Sequence, residues 1–283
     1  MMIEANNPKR NSWIKYDKDC EFPIQNIPFG VGKTRENKIH CLTIIGNTLI
    51  SLTKLEELNY FNDTSLKPQT FNKKNLNPFL KQPKKTWREV RDCVAKLFDS
   101  NNTLLKNNEK DKKSVIFDAS NIEMIMPLKI GDYTDFYSSK DHATNVGKMF
   151  RDPENALLPN WLNIPVGYHG RSSSIVISGT HIKRPSGLIL DKITQQPYFS
   201  KSKLLDFELE MAFVTGQGKS LGENISTIEA EDFIFGLCIF NDWSARDIQK
   251  YEYVPLGPFL GKSFASSISP WIVTLDALAP FKT

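Results

Sequence analysis

The stretch Leu204–Phe213, which reads LLDFELEMAF, alternates apolar and acidic residues almost strictly. This two-residue period predicts a β-strand with one buried face. Residues two apart on a strand point the same way, with about 6.5–7 Å between their Cα atoms, so Glu208 and Glu210 present neighbouring carboxylates. Such like charges repel unless something neutralises them. The stretch predicts either a solvated outer face or an oxygen-rich site for a hard divalent cation.

The composition is that of an ordinary soluble protein with two domains. The chain has 283 residues, of which 40% are hydrophobic, and a net charge of +4. So small and dispersed a surplus of positive charge does not indicate a nucleic-acid partner. The longest apolar runs are too short to span a bilayer, so no membrane partner is expected. The four cysteines show no CxxC spacing, which predicts free thiols in a reducing compartment, the cytosol.

The first part of the chain contains a hairpin signal. Two apolar segments, 39–45 and 48–52, flank Gly46-Asn47, and both joint residues tolerate a positive φ. Residues 62–85 are rich in Asn, Lys and Pro and are typical of a surface loop.

A helix is predicted next. Thr86 and Glu89 have the spacing of a capping box, and an apolar stripe with helical period follows. Residues 101–113 are polar and charged enough for a flexible connection. We place the domain boundary near residue 117, which gives domains 1–117 and 118–283.

The second part contains several further segments. We expect a short strand from residue 132 that runs into a polar, helical segment, strands over 174–178, 233–240 and 271–275, loops over 165–171 and 254–269, and a helix over 242–253.

Several polar residues in this part are candidates for chemistry. Asp242 ends an apolar strand, and it is either a site carboxylate or a helix N-cap. Arg246, Gln249 and Tyr253 share one helical face, which suits a ligand bearing carboxylates or carbonyls but equally an exposed face. Lys262, in a Gly/Pro-rich loop, could stabilise an oxyanion or be solvated.

A histidine base would need a reachable water and an orienting partner. His40 lies in the first-domain hairpin and His181 in a basic stretch, which leaves His142 and His169, and spacing does not choose between them. No GxSxG, P-loop, HExxH or dinucleotide-binding motif is present.

Five long blocks in order closely resemble the fumarylacetoacetate hydrolase (fumarylacetoacetase) family. They are residues 131–139, 165–171, 204–213, 241–249 (NDWSARDIQ) and 253–264 (YVPLGPFLGKSF). The resemblance is nearly unbroken from about residue 115 to 280 and looser in the first part.

The resemblance implies a mainly β, α+β protein: an N-terminal SH3-like β-barrel followed by a catalytic β-roll, assembled as a homodimer. It implies cleavage of the carbon–carbon bond of 4-fumarylacetoacetate, a small diketo acid, to fumarate and acetoacetate, the last step of tyrosine and phenylalanine catabolism.

The resemblance also assigns residues. Asp135, Glu208, Glu210 and Asp242 would bind Ca²⁺. A Mg²⁺ site is implied near Lys262 and Ser266, where the family has Gly-Thr in place of Ala265-Ser266. His142 would be the general base, and oxyanion and leaving-group stabilisation would fall to Arg246, Gln249 and Lys262. Substrate contacts would come from Tyr137, Arg151, Tyr168, Gln249 and Tyr253.

The family's catalytic domain continues beyond residue 283. The remaining portion should carry further β-roll strands and a glutamate that orients the histidine base, so we expect a fragment of a full-length enzyme or a truncated product with impaired activity. Two alternatives stay open: an acylpyruvate hydrolase, decarboxylase or hydratase on the same metal site, or a non-catalytic binding or dimerisation protein.

Overall fold

The computed structural model describes residues 3–282, without the side chains of residues 149 and 150. The fold is α+β and contains two five-stranded sheets, one built from each half of the chain. This confirms the predicted mixture of strands and helices.

The first sheet is antiparallel, with strand order β4-β3-β2-β1-β5. Its strands are β1 (Gly30–Thr34), β2 (Ile39–Ile45), β3 (Thr48–Ser51), β4 (Ile116–Phe117) and β5 (Ile122–Ile125). The helices of this half are α1 (Leu52–Glu57), α2 (Asn77–Leu80), α3 (Lys84–Leu97) and α4 (Glu109–Val115). The sheet therefore includes a strand beyond residue 117.

The predicted hairpin is confirmed. Strands β2 and β3 pair in an antiparallel register that places Ile45 opposite Thr48. Gly46 between them has a φ of 59°, a conformation that side chains with a Cβ rarely adopt. The turn therefore lies where the Gly-Asn joint predicted it, and of the two joint residues only Gly46 uses a positive φ.

Helix α3 is confirmed, but its predicted capping box is wrong. The helix begins at Lys84 and its N-cap is Pro83, so Thr86 lies inside it and is buried. The Glu89 carboxylate instead accepts a hydrogen bond from the Ser65 backbone N–H at 2.6 Å. Tertiary contact with the preceding loop thus replaces the local cap, because a carboxylate can satisfy either donor.

Two segments predicted as loops contain more structure than expected. The segment 62–85 includes α2, and several of its apolar side chains are buried, namely Phe71, Leu76, Phe79 and Leu80. The segment 101–113 includes the first turns of α4, whose N-cap side chain, Asn108, accepts from the Asp111 N–H. A few isolated apolar residues and a single N-cap residue are difficult to recognise within such polar sequence, so these elements were not predicted.

The second half has strands β6 (Thr134–Phe136), β7 (Gly167–His169), β8 (Ile175–Ile177), β9 (Ser186–Leu190), β10 (Pro197–Lys201), β11 (Leu205–Asp206), β12 (Leu209–Thr215), β13 (Ile234–Asp242), β14 (Ser244–Ala245), β15 (Ser266–Ile268) and β16 (Val273–Thr274). Its helices are α5 (Lys140–Phe150), α6 (Ala230–Phe233), α7 (Arg246–Glu252), α8 (Leu260–Ser263) and α9 (Leu275–Leu278).

The second sheet has the order β12-β13-β15-β8, with β16 also paired to β13. Its pairings are antiparallel except that β15 and β8 run parallel. Three small two-stranded sheets join β6 to β7, β9 to β10, and β11 to β14. The segments predicted as loops at 165–171 and 254–269 thus contain β7, α8 and β15.

The strand predicted over Leu204–Phe213 is divided into two. Strand β11 pairs with β14, whereas β12 pairs with β13, and Phe207 and Glu208 lie between them. The chain changes pairing partner at this point, which a two-residue period cannot indicate. Glu208 therefore lies at a bend beside the end of β13, where its backbone C=O accepts from the Asp242 N–H at 3.2 Å.

The apolar face of β12 is exposed, contrary to the burial we predicted for it. Exposed fractions are 75% for Leu209, 61% for Met211 and 44% for Phe213. Ile239, directly opposite Met211 on β13, is 57% exposed. Alternation separates two faces correctly, but it does not say which one packs inward. We call these four residues the apolar strand face.

The predicted helix over 242–253 begins later than expected. Asp242 is the last residue of β13, and α7 starts at Arg246 with Ala245 as an N-cap that makes no side-chain hydrogen bond. Asp242 is therefore not a helix cap, and the helix-cap interpretation is wrong. Its carboxylate is available for the interior of the second half.

One aromatic core spans both halves of the chain. Phe235 of β13 packs against Phe29, Phe79 and Trp87 of the first half, with ring centroids 5.2–5.7 Å apart. Phe29 also forms an isolated antiparallel bridge with Ile272. The rings of the first half are thus covered by residues of the second.

Between residues 3 and 282, no helix combines the length and the apolar character needed to cross a membrane.

Candidate active site

Three carboxylates from separate strands meet at one point in the second half. Asp135 on β6, Glu210 on β12 and Asp242 on β13 each offer one oxygen, and these oxygens lie within 4.8 Å of one another. Asp242 is fully buried and the other two are half-buried. Carboxylate oxygens are preferred ligands of hard divalent cations. We call these three residues the acidic cluster, and it could hold a metal ion.

Burial and mutual repulsion shift the acid strengths within the acidic cluster. Burial, together with the charge of Asp242, raises the pKa of Asp135 to about 6. Burial, together with the charge of Asp135, raises the pKa of Glu210 to about 8. Both shifts have the direction expected when carboxylates share a poorly solvated site without enough positive charge.

Both oxygens of Asp242 are held by hydrogen bonds. The Tyr168 hydroxyl donates to Oδ2 at 2.7 Å, and the Ser266 hydroxyl donates to Oδ1 at 2.9 Å. The Lys262 ammonium lies 2.6 Å from Oδ2. Tyr168, Ser266 and Lys262 thus surround Asp242, and the family resemblance assigns all four residues to the site. Asp242 is the best-anchored carboxylate of the acidic cluster.

Glu208 lies outside the 4.8 Å group, although the resemblance implies that it binds the cation with the other three. One oxygen, Oε1, receives Lys262 Nζ at 2.8 Å, Arg246 Nη2 at 2.9 Å and the Ser244 hydroxyl at 2.5 Å. Burial raises the pKa of Glu208, but Lys262 and the hydrogen bonds outweigh burial and bring the pKa below its ordinary value. Glu208 is therefore the anion that holds the cationic side of the site.

Lys262 is a buried cation, and the alternative of a solvated loop lysine is wrong. Its side chain is 5% exposed, and α8 carries it into contact with both Asp242 and Glu208. Burial lowers the pKa of Lys262, but the charges of these two carboxylates outweigh burial and hold the pKa above its ordinary value. The ammonium stays protonated and is placed to stabilise a developing negative charge.

Arg246 and Gln249 lie together at the start of α7. Arg246 Nη1 donates to Gln249 Oε1 at 3.4 Å, and Arg246 Nε donates to Asp206 Oδ2 at 3.1 Å. The carboxylate partners of Arg246 are therefore Asp206 and Glu208. Ion pairs with two carboxylates fix the orientation of the guanidinium, and they leave few of its N–H groups without an acceptor.

His142 lies on α5, near the acidic cluster but not in contact with it. The imidazole packs edge-on against Tyr137, with ring centroids 5.1 Å apart. Tyr137 in turn lies near Glu208. Burial, and after it the negative charge of Glu208, raises the pKa of the Tyr137 hydroxyl. The imidazole makes no hydrogen bond to any residue that the structure describes, and it is exposed. His169, the other candidate, lies on β7 and is also exposed.

Two of the residues named as substrate contacts lie apart from the acidic cluster. The Arg151 guanidinium donates to the Ala156 carbonyl at 2.9 and 3.1 Å, within its own loop. Tyr253 follows α7 and is 49% exposed. Neither makes a described contact with the carboxylates.

Sequence reasoning missed three residues of this site, namely Tyr133, Asp206 and Ser244. Burial, followed by the charge of Asp242, raises the pKa of Tyr133 above its usual range. Its ring is packed so closely that a Cβ on Gly170 would lie 1.8 Å from Tyr133 Cε1. All three residues lie within the sequence blocks that resemble the family. The role of a hydroxyl group, or of a carboxylate at the edge of the site, can be recognised only when the position of its partner is known.

Comparison with known proteins agrees with the residue blocks. The sequence profile of the fumarylacetoacetate (FAA) hydrolase C-terminal family matches residues 132–283, and that of the fumarylacetoacetase N-terminal family matches residues 25–127. The chain is 50% identical over 275 residues to a fumarylacetoacetase of Dictyostelium discoideum, covering 96% of this chain and 64% of the relative. The chain is also 50% identical over 272 residues to a fumarylacetoacetase of Arabidopsis thaliana, covering 95% of this chain and 65% of the relative.

A fumarylacetoacetase of Homo sapiens is 47% identical over 271 residues, covering 95% of this chain and 65% of the relative. Among solved structures, fumarylacetoacetate hydrolase from psychrophilic Exiguobacterium antarcticum is similar, with a TM-score of 0.49 and 17% identity over 88% of this chain and 66% of that one. The chain thus spans 64–65% of the length of these curated relatives. On the sequence profiles and these identities, the chain belongs to the fumarylacetoacetate hydrolase family.

Proposed function

We propose that this chain carries the site that hydrolyses the carbon–carbon bond of 4-fumarylacetoacetate to fumarate and acetoacetate, the last step of tyrosine and phenylalanine catabolism. The observation that carries the proposal is the acidic cluster with a buried ammonium at its edge. A diketo acid presents neighbouring carbonyl oxygens and a carboxylate. The site offers carboxylates that can bind a cation, together with fixed positive charges, and these can bind the oxygens of such a substrate.

The donor set fits a hard divalent cation, which we propose to be Ca²⁺. The acidic cluster supplies three carboxylates, and Glu208 lies beside them as a fourth proposed ligand. When bound, the cation would polarise the substrate carbonyl and stabilise an enolate-like leaving group. We further propose a Mg²⁺ position near Lys262 and Ser266, and any ligand from Lys262 would be its backbone oxygen, since its ammonium is held by carboxylates.

We propose the following roles for the side chains. His142 takes a proton from water, which attacks the carbonyl carbon. Arg246, Gln249 and Lys262 stabilise the oxyanion and the departing carbanion of acetoacetate, which is then protonated. Substrate orientation falls to Tyr137, Arg151, Tyr168, Gln249 and Tyr253. The Tyr137–His142 contact supports a substrate position between this pair and the acidic cluster.

Turnover of purified protein tests this proposal. We expect calcium-dependent loss of the diketone absorbance of fumarylacetoacetate, abolished by a chelator. Replacing His142 with asparagine should lower kcat by about 10²–10⁴-fold, which is the usual contribution of a general base. The matched control is His181→Asn at an exposed histidine outside the site, which should leave kcat unchanged.

Two outcomes would count against the proposal. Folded chain that binds calcium but leaves fumarylacetoacetate intact would show that these residues do not suffice for the reaction. Cleavage of an acylpyruvate with fumarylacetoacetate left intact would favour a related hydrolase on the same carboxylates.

We also propose the finer architecture that the resemblance implies, with an SH3-like β-barrel over 1–117 and a β-roll over 118–283. The antiparallel first sheet supports a barrel-like unit, although its order leaves β4 and β5 at opposite edges and its last strand lies past residue 117. An experimental structure in which the sheet stays open between these edges would exclude the barrel.

We infer that a second copy of the chain covers the apolar strand face, so that the protein is a homodimer. Contiguous exposed apolar surface marks an interaction site, and the half-buried face of β12 is the opposite one, with Glu210, Ala212 and Val214. The resemblance implies the same assembly. The four free cysteines support the cytosol as the compartment.

Replacing Met211 with lysine tests the dimer. Because Met211 is 61% exposed in the isolated chain, lysine should leave folding intact but weaken association by about 10–100-fold, since charge is depleted at interface cores. Sedimentation velocity at micromolar concentration measures this weakening. Ile193→Lys, at a 92% exposed turn residue, is the control and should sediment as wild type. A monomeric wild-type chain would contradict the inference.

A further inference from the structure

We propose that Ser244 is a positioning residue whose hydroxyl fixes the Lys262 ammonium against Glu208. The role concerns the oxyanion-stabilising cation and therefore rests on the proposed function. Ser244 is fully buried on β14, and its only polar side-chain atom lies between these two charged groups.

The hydrogen bonds have a definite direction. Lys262 Nζ donates to Ser244 Oγ at 2.8 Å. The Ser244 hydroxyl donates to Glu208 Oε1 at 2.5 Å, which is nearer than its other acceptor, the Asp242 backbone oxygen at 3.2 Å. Lys262 Nζ also contacts Glu208 Oε1 at 2.8 Å and Asp242 Oδ2 at 2.6 Å. An ammonium has three N–H donors, and here three acceptors stand around it. Ser244 is the only one of the three that carries no charge.

The backbone on either side of this contact is fixed independently. Strand β14 pairs with β11 so that Ser244 lies opposite Asp206. On the other side, the Glu252 carboxylate accepts from the Gly261 N–H at 2.6 Å and holds the start of α8. A Cβ on Gly261 would lie 2.7 Å from the Gln249 nitrogen, so α8 packs directly on α7. The elements are therefore held in place without the Ser244 hydroxyl.

What the hydroxyl fixes is the tip of a flexible side chain. Lysine carries its charge on a four-carbon stem with rotatable donors, so fixed stem atoms do not fix the ammonium. With two carboxylates alone, the ammonium could settle toward either one. The hydroxyl adds a third, neutral point of attachment and so defines one position. Displacement of a reacting group by about 1 Å can cost 10²-fold in rate.

Substitution of Ser244 tests this role through kcat. Ser244→Ala should lower kcat about 10–100-fold with KM changed less than about threefold, because the ammonium is displaced while the substrate pocket is intact. Ser244→Thr keeps the hydroxyl and should restore kcat to within about threefold of wild type. Ser244→Cys keeps the size but bonds weakly, so it should behave like alanine. Ser263→Ala, one residue from Lys262 on α8, is the control.

A second measurement does not depend on turnover. In ¹⁵N-lysine-labelled protein, the Lys262 ammonium resonance, assigned by its loss in Lys262→Met, should shift in Ser244→Ala and Ser244→Cys but not in Ser263→Ala. Calorimetry should show that the calcium affinity changes less than about threefold in Ser244→Ala, Ser244→Cys and Ser263→Ala. Should alanine prevent folding, the cysteine and threonine variants provide the same comparison.

The two proposals can fail separately. An unshifted Lys262 resonance, or unchanged kcat in both Ser244→Ala and Ser244→Cys, would overturn the positioning role. A shifted resonance in a chain that never cleaves fumarylacetoacetate would support the positioning role and overturn the proposed activity instead.

Discussion

Replacing Glu210 with glutamine should weaken calcium binding by at least about tenfold without lowering the stability of the metal-free protein. Glu210 contributes one of three oxygens within 4.8 Å of each other, and glutamine keeps its shape while removing the charge that attracts a cation. Its carboxylate makes no hydrogen bond to another residue between 3 and 282, so the substitution breaks no described contact. The remaining carboxylates repel each other less once one charge is gone.

Calorimetric titration of chelator-treated protein with CaCl₂, followed by thermal unfolding in chelator, measures both effects. Glu36→Gln is the matched control, because Glu36 is an exposed carboxylate at the turn between β1 and β2. Its calcium affinity and unfolding temperature should match those of wild type. Equal calcium affinity in the Glu210 variant and in wild type would exclude the acidic cluster as the cation site.

Replacing Lys262 with methionine should lower the free energy of unfolding by about 3–5 kcal/mol, measured in chelator. This is the usual cost of removing one partner from a buried ion pair, because the remaining charge stays buried without compensation. The ammonium lies 2.6 Å from Asp242 and 2.8 Å from Glu208. Without it, fully buried Asp242 keeps two hydroxyl donors but loses its cation, whereas half-buried Glu208 keeps its ion pair with Arg246. Turnover should fall in parallel, since the proposed oxyanion cation is gone.

Urea denaturation followed by circular dichroism gives the stability difference. The control is Lys250→Met on α7, which removes an exposed lysine and should change the free energy of unfolding by less than about 0.5 kcal/mol. In the double variant Lys262→Met with Glu208→Gln, the loss should be smaller than the sum of the single losses, because the two groups contact each other. An unaltered unfolding midpoint for Lys262→Met would contradict the ion-pair assignment.

Local periodicity predicted much of the secondary structure because it reflects contacts close in sequence. The Gly46-Asn47 hairpin and helix α3 follow from backbone conformation and a helical stripe. The same reasoning failed for strand β12, where it identified two faces but assigned burial to the wrong one. The inward face packs Ala212 and Val214 on Cys238, Phe240 and Ile268, which belong to later strands. It also brings Glu210 to Asp242, more than 30 residues away, and to Asp135, more than 70 residues away.

The site was predicted only in part for the same reason. From the residues alone, Glu208 and Glu210 were a possible cation site and Asp242 a possible site carboxylate. The family resemblance added Asp135 and assigned all four to one cation. The structure brings Glu210 together with Asp135 and Asp242 and places Glu208 among the cations. Ser244 could not be found from sequence, because its importance lies in the two charges that it touches.

The aromatic core that joins the two halves affects how the protein can be divided for experiments. A recombinant fragment ending at residue 127 would match the N-terminal family profile, yet it would lack Phe235 and Ile272. Phe29 and Trp87, which pack on Phe235 here, would then face water. The boundary between the family profiles is therefore a poor place to cut, because the unit of sequence similarity is smaller than the unit that buries its own core.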